Sequence, residues 1–311
     1  MFPTPEYLTM PSVSLAIDDS TLRYIRLEKK IGHIVVADFG EYPIEPGAVV
    51  DGEIQKTEVV VALLKKIKEE TGVSFVRVAL PEERGYLFVS RIPQTEIGEL
   101  TSAVEVAVEE NAPVKVSDVV YDFIPVPRAG QNGEMVVAVS AVPRAIVETY
   151  QSVIGEAGLS PLSFEMESAA LARASTERGD TRCGLLVGIA GGNKLVHTIV
   201  RDNTVLFTSV TSLLSNSLDE IVGGTKKIIA YWGEHMEDEY GMNASVEYVS
   251  VYGDNKRVGE YEASLRTKLD IPVMLSDVWV NVCSLDHYVP PIEKSKSLAF
   301  GTVIGLSLSS F

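Results

Sequence analysis

Two apolar-rich runs, residues 12–17 and 21–28, flank the polar turn Asp18-Asp19-Ser20. A third run, HIVVADF (33–39), follows Gly32, so the chain opens with three short strands joined by tight turns. Leu63, Leu64 and Ile67 then share one helical face, which predicts a helix from Thr57 as cap to Thr71, stopped by Gly72. The charges Lys65, Lys66, Lys68, Glu69 and Glu70 form its solvated face. Phe75–Leu80 is a strand ended by Pro81, so the first part reads βββαβ.

The next segment has a different order. YLFVSRIP (86–93) is a strand, and Leu100, Val104 and Val108 stripe a helix over about 96–110. Strands follow at 118–124 and 135–141, around the polar loop Arg128–Glu134. Pro143 opens a helix that Gly158 closes, and LSFEMESAALARA (162–174) reads as a strand running into a helix.

From Asp180 the opening pattern returns. CGLLVGIA (183–190), the turn Gly191-Gly192-Asn193, KLVHTIVR (194–201) and 204–210 predict a second three-stranded meander. A helical stretch over about 213–240 carries Leu214, Leu218, Ile221, Thr225, Ile228 and Trp232 on one stripe. Gly223-Gly224 and Gly233 predict a break or kink in it. A strand (245–253), a helix (257–268) and a strand (271–275) complete the unit. Two βββαβα units in one chain describe a duplicated α/β domain whose opening hairpins face a cleft. Nucleotides bind in such a cleft in actin, Hsp70 and sugar kinases, where the hairpins clamp phosphates through backbone N–H groups, hydroxyls and carboxylate-held Mg²⁺.

Composition narrows the function. The 311 residues carry a formal net charge of −16, a surface that repels nucleic-acid phosphates and anionic headgroups. Cys183 and Cys283 form no CxxC and sit in apolar runs, so free thiols in a reducing cytoplasm are expected rather than a disulfide. Four histidines give no metal-site pattern. No apolar run reaches the ~20 residues of a membrane span, and MFPTPEYLTMP lacks the features of a signal peptide.

Several segments together resemble the PilM family of type IV pilus assembly proteins, actin-like proteins related to FtsA. They are RVALPEE (77–83), VSRIPQTEIGEL (89–100), VEVAVEENAPV (104–114), DVVYDF (118–123) and LSFEMESAALARA (162–174). The block 246–273, WVNV (279–282) and LAFGTVIGLSL (298–308) continue the match, which covers about 12–310. The resemblance implies an actin-like (ribonuclease H-like) fold: a first lobe of 12–85 and 159–180, an inserted α+β subdomain of 86–158 as in FtsA, and a second lobe of 181–311. It also implies a scaffold at the cytoplasmic face of the inner membrane that binds the N-terminal tail of a PilN-like membrane protein. A pilus motor ATPase and a second copy of the chain are further partners it suggests; nucleic acid and direct membrane insertion are not. The C-terminal LAFGTVIGLSLSSF carries no Lys or Arg after Lys296, so it reads as a helix of the fold and not a membrane anchor.

The nucleotide motifs of the family depart here. Where members read G-I-D-I-G-S, Ala16 stands for the metal-facing aspartate and Asp18 for the phosphate-turn glycine. Where they read V-D-I-G-A, Gly188 replaces the second aspartate; Gly253-Asp254-Asn255 replaces the adenosine-loop G-G-x. Two unit charges ~4 Å apart repel by about 4 kcal/mol at an effective dielectric of ~20, and Asp18 and Asp19 would set two such carboxylates against a phosphate. Loss of Mg²⁺-ordering carboxylates removes the main terms of phosphoryl transfer. The degenerate pocket comprises Asp18, Asp19, Ser20, Thr21, Gly191, Gly192, Asn193, Lys194, Gly253 and Asp254. Ser20, Thr21, Asn193 and Lys194 could touch a phosphate or be plain turn residues, and Asp18 or Asp19 could recruit Mg²⁺ in place of Ala16. The reading is a non-catalytic or weakly nucleotide-binding scaffold with no cofactor; an active Mg-ATP-dependent ATPase in pilus assembly or cell division, with ATP and Mg²⁺ bound, is the alternative. For the partner peptide, strands 86–92, 118–124 and 135–141 are expected to border a groove between lobe and insertion, with Tyr121 and Phe123 as contacts or as plain core residues of their strand.

Overall fold

The computed structural model describes residues 10–30, 32–94, 97–127, 129–130, 133–190, 194–213, 217–240, 245–253, 257–283 and 288–311. Strands β1 (Ser12–Ile17), β2 (Thr21–Lys30) and β3 (His33–Pro43) form the first meander. The small hairpin β4 (Val49–Val50) and β5 (Glu53–Ile54) leads into α1 (Thr57–Thr71) and β6 (Phe75–Leu80). Then come β7 (Tyr86–Pro93), α2 (Ile97–Asn111), β8 (Val119–Pro125), β9 (Glu134–Pro143), α3 (Arg144–Glu156), β10 (Ser160–Met166) and α4 (Glu167–Ser175). The second meander is β11 (Gly184–Ala190), β12 (Lys194–Arg201) and β13 (Thr204–Ser212), followed by α5 (Leu218–Tyr240), β14 (Tyr248–Gly253), α6 (Val258–Lys268) and β15 (Val273–Leu275). The described C-terminal elements are α7 (Lys294–Ser297) and α8 (Gly301–Leu308).

The two five-stranded sheets have one topology. The first runs β3-β2-β1-β6-β10 and the second β13-β12-β11-β14-β15. In each, the meander is antiparallel and the last three strands pair in parallel. A parallel neighbour requires a crossover, which α1 and α5 supply. The duplication expected from the repeated pattern is therefore present strand for strand.

Two local expectations change. Lys56, not Thr57, is the residue before the first turn of α1, and no side chain caps it; Gly72, at φ 65°, ends that helix by donating to Lys68 O. Gly223-Gly224 do not break α5, which runs continuously from Leu218 to Tyr240. Gly224 has a packing role instead: a Cβ there would lie 3.2 Å from Leu195 Cδ2 on β12.

The chain forms two compact units, one containing the segments up to Pro81, Ile146–Glu177 and Asp277–Phe311, the other Glu82–Ala145 and Arg178–Ser276. In the first unit α8 packs on α4 and on the first sheet. Val303, Ile304 and Leu308 join Ile25, Leu27, Trp279 and Phe300 in one buried cluster. The apolar C-terminal segment is thus a helix of the fold, as its lack of flanking cations predicted. Among the described residues no helix is long and apolar enough to cross a membrane.

In the second unit β7, β9 and β8 form a separate three-stranded sheet in that order. Strand alternation sends Ile92, Val119, Val137, Val139 and Ala141 to one face, where Val104, Ala107 and Val108 of α2 close a small core. Val89, Val136, Ala138 and Val142 point to the other face and are also buried, with β13 beside β7 and β9.

Candidate functional site

The β1–β2 turn is closed by its own carboxylate. Asp18 N donates to Thr21 O at 3.0 Å, a tight turn between paired Ile17 and Leu22. Asp18 Oδ1 then accepts from Ser20 N (2.8 Å), Ser20 Oγ (2.9 Å) and Thr21 N (2.7 Å). Its other oxygen accepts from Arg23 Nη1 at 2.8 Å. Asp19 points elsewhere: its Oδ1 accepts from Gly52 N at 3.0 Å, in the turn between β4 and β5. Each of the two adjacent carboxylates thus has its own donors. The amides and the hydroxyl that a phosphate turn would offer are already bonded inside the chain.

Ala16 stands where the resemblance gives a metal-facing aspartate. It pairs with Arg23 across the hairpin and packs against Ala79, Ala170 and Leu306. A carboxylate at this position would be pressed against methyl groups, an unfavourable place for an uncompensated charge.

In the second hairpin, Gly191, Gly192, Asn193 and also Asp254 lie outside the described residues. Gly188 is described and pairs with Tyr252 of β14. The tyrosine ring covers the glycine, as Tyr248 covers Gly184 two pairs earlier in the same face of the sheet. Gly253, at φ 132°, brings its Cα against the main chain of β11: a Cβ would lie 2.4 Å from Ile189 O. Lys194, the remaining cation of this hairpin, has a side chain only 7% exposed, and its Nζ binds Glu83 Oε1 at 2.8 Å. Glu83 belongs to a short 3₁₀ turn, Glu82–Arg84, between β6 and β7.

Tyr121 and Phe123 both pack on the α2 face of the small sheet. Tyr121 Oη donates to Glu105 Oε1 of α2 at 3.0 Å, and this burial and bonding raise its pKa. They are core-facing residues of β8. The opposite face of that strand carries Val120 and Ile124, which are 42% and 55% exposed.

Sequence reasoning missed Arg23, Glu83 and Tyr252, which occupy the bonding capacity or space of the candidate residues. Arg23 follows Asp18 by five positions and was readable as a cross-hairpin partner. Glu83 and Tyr252 come from distant segments and carried no local signal. Among the described residues no group of three or more His, Cys, Asp or Glu side chains could hold a metal ion.

The model for "Type IV pilus assembly protein PilM" matches residues 14–213. No curated protein matches the sequence. Among solved structures, a PilM-PilN type IV pilus biogenesis complex is similar at a TM-score of 0.76 and 18% identity, with 97% of this chain and 98% of that chain covered. The cytoplasmic domain of EpsL, an inner membrane component of the type II secretion system of Vibrio cholerae, is similar at a TM-score of 0.51 and 10% identity, over 96% of this chain and 93% of that one. The ethanolamine utilization protein EutJ of Carboxydothermus hydrogenoformans is similar at a TM-score of 0.51 and 12% identity, over 99% and 91%. These likenesses and the doubled sheet topology make the fold actin-like. With the family match covering well over half of its length, the chain belongs to the family of type IV pilus assembly proteins PilM.

Proposed function

We propose that this protein is a non-catalytic actin-like scaffold of the pilus platform, which holds a PilN-like membrane protein by its cytoplasmic N-terminal tail. The observation that carries the non-catalytic part is the Asp18 carboxylate, which takes both turn amides and the Ser20 hydroxyl for itself. A bound phosphate would have to displace an anion that is also paired to Arg23. Tyr252 over Gly188 supports the same reading, because it leaves no room for an Mg²⁺-ordering carboxylate there, and a carboxylate at position 16 would sit beside apolar side chains. Asp18, Ala16 and Gly188 with its covering Tyr252 thus disfavour Mg-ATP.

The partner reading rests on family membership and on charge. A protein of net charge −16 is pushed away from an anionic leaflet, so a protein tether is the means of holding it at the cytoplasmic face of the membrane. A basic tail is favoured by the same charge, mainly through faster encounter.

The test is calorimetry with MgATP, together with phosphate release. No hydrolysis and at most weak binding are expected; micromolar MgATP affinity would overturn the expectation, and phosphate release with it would establish the alternative, an active ATPase. Co-purification of the tagged protein from pilus-bearing cells, followed by identification of bound membrane proteins, tests the partner. Recovery of none with a PilN-like cytoplasmic tail defeats that half of the reading.

A further inference from the structure

The small sheet of the second unit ends in β8, and among the described residues no strand lies beyond it. The direction of its main-chain groups follows from one bond. Val126 N donates to Val136 O at 2.8 Å, and these residues continue the register in which Pro125 faces Val137. In an antiparallel pair, bonded and non-bonded pairs alternate. Val120, Asp122 and Ile124 therefore bond to β9, while the amides and carbonyls of Val119, Tyr121 and Phe123 face outward. Val119 O accepts from Arg144 Nη2 at 3.0 Å. Phe123 N donates to the Oδ1 of its own neighbour Asp122 at 2.8 Å. Tyr121 retains an outward donor and acceptor in the middle of the edge.

The side chains beside this edge alternate in character. Val120 and Ile124 are exposed apolar residues, and Asp122 is an exposed acid between them. Asp118, exposed in the 3₁₀ turn just before β8, adds a second acid near this edge. An added strand would place its own side chains opposite these, so it must offer a cation against Asp122 and apolar groups against Val120 and Ile124. Asp122 also makes the edge selective. Its carboxylate covers the Phe123 amide, which discourages neutral strands from pairing there, as edge charges do generally. A cation opposite draws the carboxylate away and releases that amide to the incoming carbonyl.

We propose that the outer edge of β8 is a docking edge for an extended segment of a partner protein, alternating Lys or Arg with apolar residues, which adds as a fourth strand beside Val120, Asp122 and Ile124. This deepens the partner reading above and depends on it only for the partner's identity.

The test uses the full chain and a blocked synthetic peptide, Thr-Val-Thr-Lys-Thr-Ile-Thr, with a control in which Glu replaces Lys. The lysine peptide is expected to bind at least about tenfold tighter than the control, and Asp122→Lys to reverse that preference. Hydrogen exchange on the complex should protect the Tyr121 and Phe123 amides. Because Asp122 is exposed, the variant should unfold at the temperature of the parent, which separates lost docking from lost folding. Absence of binding, an unreversed preference, or protection confined to other residues overturns the proposal. If the peptide docks but no PilN-like protein co-purifies, the edge stands and the partner's identity fails.

Discussion

The ring of Tyr252 occupies the space that any side chain at Gly188 would need. A Cβ at Gly188 would lie 2.1 Å from Tyr252 Cζ and 2.3 Å from its Oη. The two residues are paired across parallel strands β11 and β14, so the contact is fixed by register. An aromatic ring laid over a strand glycine restores the packing that the missing side chain leaves.

Gly188→Asp should accordingly cost about 1–3 kcal/mol, the usual range for overpacking. Tyr252→Ser should restore part of that loss in the double variant, since it removes the obstructing ring. Urea unfolding of the two single variants and the double reads the coupling. Additive losses would show that the ring moves aside at no cost.

The Asp18 turn gives a second expectation. Asp18→Gly leaves two turn amides without their acceptor and removes one partner of Arg23, at a cost of about 1–2 kcal/mol. It also empties the donors that a phosphate would use. Asp18→Gly should therefore bind inorganic phosphate more tightly than the parent, measured by calorimetry. Equal affinity in both proteins would place the phosphate turn elsewhere.

Helix α8 is seated against α4 by two small residues. A Cβ at Gly305 would lie 1.7 Å from Ala170 O, a main-chain atom that cannot turn away. At Gly301 the nearest atom is Leu171 Cδ1, at 2.6 Å, the tip of a flexible side chain. Gly305→Ala should be the more damaging change, by roughly 3 kcal/mol or more against about 1 kcal/mol for Gly301→Ala. Thermal unfolding should rank them in that order.

His197 makes stability depend on pH. It is buried on β12, with Nε2 3.1 Å from Thr225 Oγ1 and no partner on Nδ1. Thr225 Oγ1 donates to Ile221 O, so the imidazole gives it a proton and stays neutral. Burial lowers the pKa from 6.5 to about 4. The folded state disfavours the charged ring, so this contribution is complete above the unfolded value of 6.5. It is lost as pH falls from 6.5 to about 4. That lowering corresponds to about 3 kcal/mol of stability. Urea midpoints measured from pH 7 to pH 4 should fall, and His197→Leu should flatten that part of the profile. A parallel fall in both proteins would assign the loss to other groups.

The order of strands and helices was legible because both units alternate apolar and polar residues at strand spacing, and α1, α2 and α5 carry continuous helical stripes. β7 runs from Tyr86 to Pro93 as read, and β12 from Lys194 to Arg201. The residue types at Ala16, Asp18 and Gly188 were also legible, since they are read directly from the chain. What surrounds them was not. That Asp18 turns onto Ser20 and Thr21 while Asp19 turns to Gly52 depends on side-chain rotamers and on a turn more than thirty residues away. That Tyr252 covers Gly188, and Glu83 holds Lys194, depends on strand register and long-range contact. The helix at Gly301–Leu308 was readable as apolar, but its place on α4 and the first sheet was set by Gly301 and Gly305, whose missing side chains allow the close approach. Sequence fixes local periodicity, because neighbouring residues share one backbone geometry. Only the folded chain decides which distant side chain fills a given space or takes a given hydrogen bond.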